Sequence, residues 1–396
     1  MSDSVGSAGS VRMRYGPARG PERRAMRTRS NLAILVALVA AGLFLTMALT
    51  SPKAEVDGVA GAAGTPAGDP PPPSPPSPPE WMRPLHPGER PPQFVLFSFD
   101  GAGSDSHWKR VLPLAQRSNA RFTGFLTGLY LVPNSERTRY TGPGHTPGKS
   151  SVGFGGTEAD IATRIGNLKT ALAAGHEIGT HYNGHFCAGA EPSGAKWTTA
   201  QWNSELDQFF RFVREAPGLD LPDGTVKGGR TPCLEGKKDQ FFPAMLTHGM
   251  VYDSSGTAGS LAWPSKVDGV WEFPMPSVTV TALDKRVIMM DYNLWFSMNG
   301  AKDEPEKASL FTEWTVAAYF RAYDAAYAGN RAPLVVGNHF NDWNGGAFST
   351  AVETFMGEVC LRPQTVCATY GQVLEWMGLQ DPAILAALEA EPQPRP

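Results

Sequence analysis

The chain of 396 residues has little net charge and few of the patterns that bind phosphates or soft metals. Its 35 basic and 38 acidic side chains leave a formal net charge of -3, so no strong positive field attracts nucleic acid. The four cysteines never take the C-x-x-C spacing, which argues against a cysteine zinc site, and no glycine-rich phosphate loop or internal repeat occurs. These absences leave a mainly globular protein whose chemistry comes from other side chains.

The first fifty residues are typical of a segment that carries a chain into or across a membrane. Residues 1–30 contain seven arginines and two acidic residues, and residues 32–49 contain no charge. A helix that crosses a bilayer takes about 17 to 25 apolar residues. Because the arginines lie only before this run, we expect 1–30 to be a cytoplasmic tail and 31–50 a transmembrane anchor. A cleaved signal peptide is the alternative, and either reading places the remainder outside the cytoplasm, secreted in the second case.

Residues 51–92 are rich in Ala, Gly, Ser and Pro. We expect an extended linker there, since proline fixes φ and removes hydrogen-bond donors. In an oxidising compartment, Cys360 and Cys367 are close enough in sequence to close a small loop, which would leave Cys187 and Cys233 as the second pair. The spacing does not settle this connectivity. Residues 380–396 are expected to form a disordered tail.

Residues 93–379 alternate between short apolar runs and helical patterns. The run FVLFSF at 94–99 predicts a buried strand. Further strands are predicted at 122–126, 176–180, 287–290 and 333–336, and helices at 108–118, 158–174, 199–215, 241–248, 310–327 and 350–359. This alternation predicts an α/β fold of parallel βα units that form a barrel, with its active site where the strands end.

Two histidines follow one predicted strand. His181 and His185 lie four residues apart in THYNGH, so both imidazoles reach one metal ion if the chain turns between them. Asn183 and Gly184 are poor helix formers, which favours a loop or a single turn over a long helix. Two unrelated loop histidines are the alternative for this pair considered alone.

Other charged residues also follow predicted strands. Asp100 follows FVLFSF, Asp291 follows VIMM, His339 follows LVVGN, and Arg230 lies in GGRTPCLEG. Each has a structural alternative when taken alone, such as a helix cap for Asp100 or a packed core histidine for His339. Their shared position after strands favours one common site.

Five short motifs occur in the order of a known family: FSFDG at 97–101, HYNGH at 181–185, RTP at 230–232, DYNLW at 291–295 and GNH at 337–339. Together they resemble the polysaccharide deacetylases, the NodB-homology enzymes of carbohydrate esterase family 4. The segment VKGGRTPCLEGKKDQFFPAMLTHGMVYDSS is similar to the chitin deacetylase-like branch. The resemblance covers about 93–379, and it implies a distorted (β/α) barrel that removes N-acetyl groups from a cell-envelope or chitin-like polysaccharide.

The resemblance implies a role for each candidate residue. His181 and His185 would hold a divalent metal, commonly zinc, and Asp100 would be the base that takes a proton from water. Arg230 would orient that base, and His339 would protonate the leaving amine.

The resemblance also implies a substrate pocket, in which Trp295 would form an aromatic wall and Pro232 would take part. Beyond the polysaccharide and the membrane, no obligate protein partner is evident.

Three positions depart from the family pattern. Gly101 stands where a second aspartate usually binds the metal, so the third ligand is open between Asp100, Asp105 and water. Leu294 replaces a carboxylate, which leaves Asp291 as the nearest residue to tune His339. Cys233 replaces an aromatic residue. These departures keep two alternatives open, a catalytically degenerate glycan-binding domain and an O-acetyl esterase acting on another polysaccharide.

Overall fold

Helices and strands alternate from Gln93 onward in the computed structural model, which describes residues 78–396. The strands are Gln93–Gly101 (β1), Phe122–Leu126 (β2), Glu177–Thr180 (β3), Gly228–Gly229 (β4), Tyr252–Asp253 (β5), Thr257–Ala258 (β6), Ser265–Val267 (β7), Val270–Glu272 (β8), Met275–Val280 (β9), Lys285–Ile288 (β10), Leu334–His339 (β11) and Thr365–Cys367 (β12). The α-helices are Asp105–Arg117 (α1), Glu158–Ala173 (α2), Thr199–Glu215 (α3), Lys238–Thr247 (α4), Asp291–Asn299 (α5), Ala308–Ala328 (α6), Trp343–Val359 (α7), Tyr370–Gly378 (α8) and Pro382–Glu389 (α9).

The main sheet has the strand order β11-β1-β2-β3-β4-β5-β8-β7, and all neighbours from β11 to β8 are parallel. Strand β1 is the second strand in this order and pairs with β11, β2 and β12, and all its residues except Gly101 are buried. This burial on both faces explains the continuous apolar run, because the strands of a parallel sheet are covered on both sides.

Further hydrogen bonds connect the main sheet to a second sheet with the strand order β10-β9-β6. The amide of Met289 donates to the carbonyl of Pro276 in β9, and the amide of Gly337 in β11 donates to the carbonyl of Met289. Strands β4 and β5 of the main sheet have only two residues each. The α/β fold is therefore confirmed, and the barrel stays a prediction.

Every helix and strand expected from the sequence between 93 and 379 has a counterpart, with ends shifted by up to seven residues. The sequence did not predict the six-residue strand β9, the strands of two or three residues, or helices α5, α8 and α9. Helices α2, α3 and α8 begin with capping boxes at Thr157, Thr198 and Thr369, which satisfy the first free backbone amides.

Both ends of the domain differ from expectation. Residues 380–396, expected to be disordered, contain α9, and the carbonyls of Pro394 and Pro396 accept hydrogen bonds from Leu261 and Thr279. Residues 78–92 of the expected linker include the buried Leu85, which packs against the core. Both segments are ordered by contacts with distant parts of the domain, which their composition alone does not show.

The expected cytoplasmic tail at 1–30, the anchor at 31–50 and linker residues 51–77 lie outside the described residues. From 78 to 396, no helix is both long and apolar enough to cross a membrane.

Two disulfides pair the four cysteines. Cys360–Cys367 joins the end of α7 to β12, and Cys187–Cys233 joins the segments that follow β3 and β4. The expected pairing is therefore confirmed. The second disulfide lies next to the candidate metal ligands, as described below.

Candidate active site

Four parallel strands of the main sheet, β11, β1, β3 and β4, bring the candidate residues to one end. Asp100 on β1 and His339 on β11 are direct register partners. The amide of His181, just after β3, donates to Leu126 at the end of β2, and the amide of Arg230, just after β4, donates to Thr180. The sheet therefore places residues 100, 181, 230 and 339 at the carboxyl ends of parallel strands, where the active sites of α/β folds lie.

Asp100 is paired with a buried arginine. Its Oδ1 accepts a hydrogen bond of 2.9 Å from Nη1 of Arg230, and both side chains are almost fully excluded from solvent. Burial would raise the pKa of Asp100, but the positive charge of Arg230 and the neighbouring histidines outweigh burial and lower this pKa below its ordinary value. The carboxylate is therefore ionised at neutral pH, as a base must be.

Arg230 is fixed by residues that the sequence reasoning missed. Its Nε donates to the carbonyl of Ser254 at 3.0 Å, and its Nη2 donates to Oγ of Ser254 and to the hydroxyl of Tyr370. The guanidinium also lies over the ring of Phe125, 4.8 Å from its centroid. These contacts hold the guanidinium rigidly, so Arg230 presents Nη1 to Asp100 in a single orientation.

Asp291 orients His339. Oδ1 of Asp291 lies 2.7 Å from Nδ1 of His339, and Oδ2 accepts a hydrogen bond of 2.7 Å from the His339 amide. Burial would lower the pKa of His339, but the charge and hydrogen bond of Asp291 raise it above the ordinary value. Nε2 of His339 is then directed towards the centre, 3.9 Å from Oδ2 of Asp100. Asp291 therefore contacts His339 at both its amide and its ring, and its role in tuning His339 stays a prediction.

His181 has the arrangement of a metal ligand. Its Nδ1 lies 2.8 Å from the carbonyl of Arg230, which requires the ring proton on Nδ1 and leaves the lone pair on Nε2. Nε2 is buried and has no hydrogen-bond partner in the described part of the chain. Burial lowers the pKa of this imidazole, which favours the neutral form that binds metals. This side chain therefore fits a metal ion.

His185 stands near His181 on a loop. The ring centroids of the two histidines are 5.2 Å apart. Neither a helix nor a strand spans the two residues, and Tyr182 and His185 both take positive φ values, of 56° and 54°. Burial, together with the neighbouring histidines, lowers the pKa of His185 to about 3, so its imidazole is neutral. The predicted loop between the histidines is confirmed.

A buried carboxylate on α3 holds this loop. Oε1 of Glu205 accepts hydrogen bonds from the amides of Asn183 at 2.9 Å and Gly184 at 3.0 Å, and Oε2 accepts one from the hydroxyl of Tyr140. Asn183 Nδ2 donates in turn to the backbone carbonyl of Glu205. Sequence reasoning missed Glu205, although its place among Trp202, Leu206 and Phe209 on one buried helix face was a usable signal.

A third protein ligand is not evident. Within residues 78–396, no group of three His, Cys, Asp or Glu residues that includes both His181 and His185 brings its ligand atoms within 4.8 Å of one another. Asp105, one of the two carboxylates considered, lies in the first turn of α1, where it accepts hydrogen bonds from Lys109 and Asn167. Asp105 is therefore engaged elsewhere.

The end of β1 is shaped for the glycine that stands in place of a second aspartate. Gly101 has a φ of 85°, a conformation that other residues rarely adopt. A Cβ added at Gly101 would meet only the ring of Tyr130, at 3.6 Å. The backbone here is shaped for glycine, and a side chain at this position points to Tyr130.

The expected pocket residues lie beside the site. Pro232 is buried two residues after Arg230, in the short turn Pro232–Leu234. Trp295 donates to the carbonyl of Lys302 and stacks on Trp343 at a centroid distance of 5.5 Å. Trp343, which sequence reasoning missed, has its ring 4.9 Å from that of His339. The pocket roles of Trp295 and Pro232 stay predictions.

Comparison with models of known protein families gave no match, and comparison with curated proteins gave none either. Among solved structures, the chain is similar to a protein from Mycobacterium smegmatis named as a polysaccharide deacetylase, with 17% identity, 79% of this chain and 96% of that one covered, and a TM-score of 0.46.

Two further structures are a family 4 carbohydrate esterase from Streptomyces lividans and a family 4 pseudoenzyme from Bacillus anthracis. The match to the esterase has 14% identity and a TM-score of 0.37, and it covers 69% of this chain and 91% of the esterase. The match to the pseudoenzyme has 11% identity and a TM-score of 0.39, and it covers 74% of this chain and 68% of the pseudoenzyme. At these values, function has to be inferred from the site itself. The chain is similar to structures of the polysaccharide deacetylase family that its five motifs resemble.

Proposed function

We propose that residues 93–379 form a metal-dependent hydrolase that removes N-acetyl groups from a cell-envelope or chitin-like polysaccharide. The observation that supports this best is the meeting of two buried ionic pairs, Asp100 with Arg230 and His339 with Asp291, beside the unpartnered Nε2 of His181. Amide hydrolysis needs a base, an acid and a carbonyl-polarising group, and the site offers a candidate for each.

The two ionic pairs divide the proton transfers. Asp100, kept ionised by Arg230, accepts the proton of the attacking water. His339, kept protonated to higher pH by Asp291, donates a proton to the nitrogen of the leaving amine. Acid–base catalysis requires one group with a lowered pKa and one with a raised pKa, and Asp100 and His339 meet this requirement.

His181 and His185 would hold the divalent ion, with zinc the best match to two neutral imidazoles. When bound, the ion would supply a Lewis acid that polarises the acetyl carbonyl and lowers the pKa of water. The backbone carbonyl of Arg230 fixes the tautomer of His181 for this purpose.

Acetate release by the full chain tests the proposal. N-acetylglucosamine oligomers are incubated with the protein and added Zn²⁺ or Co²⁺, and acetylxylan is the comparison substrate. We expect acetate from the oligomers, its loss in His181→Ala, and its retention in the control His248→Ala, which alters a histidine just after α4 that is paired with Asp207. Release from acetylxylan alone would replace the proposal with an O-acetyl esterase.

A degenerate glycan-binding domain is the second candidate, because no third protein ligand completes the His181 and His185 pair in the described chain. Glycan binding without acetate release at saturating metal would favour this candidate.

We also propose that the domain works outside the cytoplasm, held by an anchor at 31–50 or secreted. The two disulfides support an oxidising compartment. Protease accessibility of the domain on intact cells tests this location, and protection until the membrane is opened would contradict it.

A further inference from the structure

A second group of metal-ligating atoms lies beside the candidate active site. It consists of His185, Cys187 and Cys233, whose ligand atoms all lie within 4.8 Å of one another. Across residues 78–396, no other set of three or more His, Cys, Asp or Glu residues meets this spacing. Two sulfurs and an imidazole are ligands that zinc and cobalt bind well.

The disulfide closes this group to metals, because it is the thiolate form of cysteine that binds them. Sγ of Cys187 lies 3.5 Å from Nδ1 of His185, so the imidazole is already against the sulfur. Cys187 is buried, whereas Cys233 is partly exposed, so a small reductant reaches the bond from the Cys233 side. The ligands are thus assembled but blocked by one covalent bond.

We propose that reduction of this disulfide by a dithiol opens a Cys2His site for a divalent metal at His185, Cys187 and Cys233. The dithiol supplies two electrons and two protons, the S–S bond breaks into two thiols, and the reductant becomes a disulfide. Each thiol then releases its proton on binding, so two thiolates balance the charge of the ion while the imidazole stays neutral.

The required movement is small. With Zn–S distances of about 2.3 Å, two sulfurs on a tetrahedral ion lie roughly 3.8 Å apart. The Cα atoms of Cys187 and Cys233 are 6.1 Å apart, so rotation of the two side chains can supply that separation. Water can complete the fourth position, as in other three-ligand zinc sites.

Opening this site has a consequence that rests on the proposed function. A neutral imidazole has a single lone pair, so His185 serves one metal at a time. In the oxidised chain His185 would share an ion with His181, and in the reduced chain it would bind the ion that the two thiolates hold. Reduction would therefore move the metal and stop hydrolysis.

Cobalt titration of the full chain tests the new site. The oxidised protein and protein reduced with a dithiol, which is then removed without air, are each titrated with Co²⁺ while near-ultraviolet thiolate-to-cobalt absorption is recorded. We expect this absorption only after reduction, saturating at one equivalent. Its absence from the reduced protein overturns the proposal.

Matched variants locate the ligands. The double variant Cys187→Ser with Cys233→Ser should lose the absorption, and Cys360→Ser with Cys367→Ser should keep it, since that pair has no third ligand nearby in the described chain. In the reduced His185→Ala variant, which keeps all four thiols, the cobalt absorption should no longer saturate at one equivalent of Co²⁺. Persistence of the signal in the first variant, or an unchanged titration of His185→Ala, contradicts the assignment.

Acetate release by the same oxidised preparation separates the two proposals. Absorption without acetate release means that the Cys2His site stands and the proposed hydrolase fails. Acetate release by the oxidised protein, without cobalt absorption after reduction, means that the proposed hydrolase stands and the Cys2His site fails.

Discussion

Asp100 and His339 stand on neighbouring parallel strands, and each has its own ionic partner, whereas His181 and His185 stand at the two ends of a loop without regular structure. The strand-borne half of the site is held by these two ionic pairs and, at Arg230, by Ser254 and Tyr370. The loop-borne half is held from outside, by Glu205 on α3 and by the disulfide Cys187–Cys233. The comparison teaches that proton transfer and metal binding can be damaged separately.

The largest effect is expected from Arg230→Met, in the strand-borne half. The change leaves Asp100 buried without its partner, and breaking a buried pair on one side costs about 3 to 5 kcal/mol of folding free energy. Adding Asp100→Asn should recover much of this loss. Urea unfolding of the single and double variants measures the coupling, and a cost below about 1 kcal/mol for the single variant would show that the pair is not structural.

Asp291→Asn should lower kcat by roughly 10²-fold, because His339 loses the charge that favours its protonated form. The pKa of His339 is raised in the protein, so the acid is lost as pH rises through that value. The variant should therefore lose activity at lower pH than the wild type does. If kcat of the variant falls at the same alkaline pH as kcat of the wild type, this role of Asp291 is contradicted. The surface variant Asp324→Asn is the control.

Glu205→Ala should weaken zinc binding by about 10- to 100-fold, the usual effect of removing a residue that positions metal ligands. Two loop amides and the hydroxyl of Tyr140 lose their acceptor. Glu205→Gln keeps one acceptor oxygen and should lose less. Competition with a zinc chelator measures the affinity, and the exposed Glu215→Gln is the control. Unchanged zinc affinity in Glu205→Ala would mean that the loop keeps its conformation without Glu205.

The smallest effect is expected from Gly101→Asp, which introduces the carboxylate usual in the family that the five motifs resemble. The positive φ at this position should cost about 1 to 2 kcal/mol, and the new side chain points towards Tyr130. Zinc affinity should not rise. Tighter binding would show that the loop rearranges to bring the carboxylate to the metal.

The sequence predicted the strand-borne half better than the parts that hold the loop. Runs such as FVLFSF reveal buried strands by composition, and the residue after each run is then a candidate. Strands β4 and β5 have two residues each, so their place in the main sheet depends on long-range pairing that no local pattern shows. Tyr370 lies 140 residues from Arg230, so their contact exists only in the fold.

Zinc content and acetate release of Asp100→Asn, measured on the same preparation, test the central claim most directly. If Asp100 is the base and the two histidines hold the ion, the variant keeps stoichiometric zinc and loses turnover by at least roughly 10²-fold. If zinc disappears together with activity, Asp100 is a metal ligand, and the division of the site into two separately held halves is wrong.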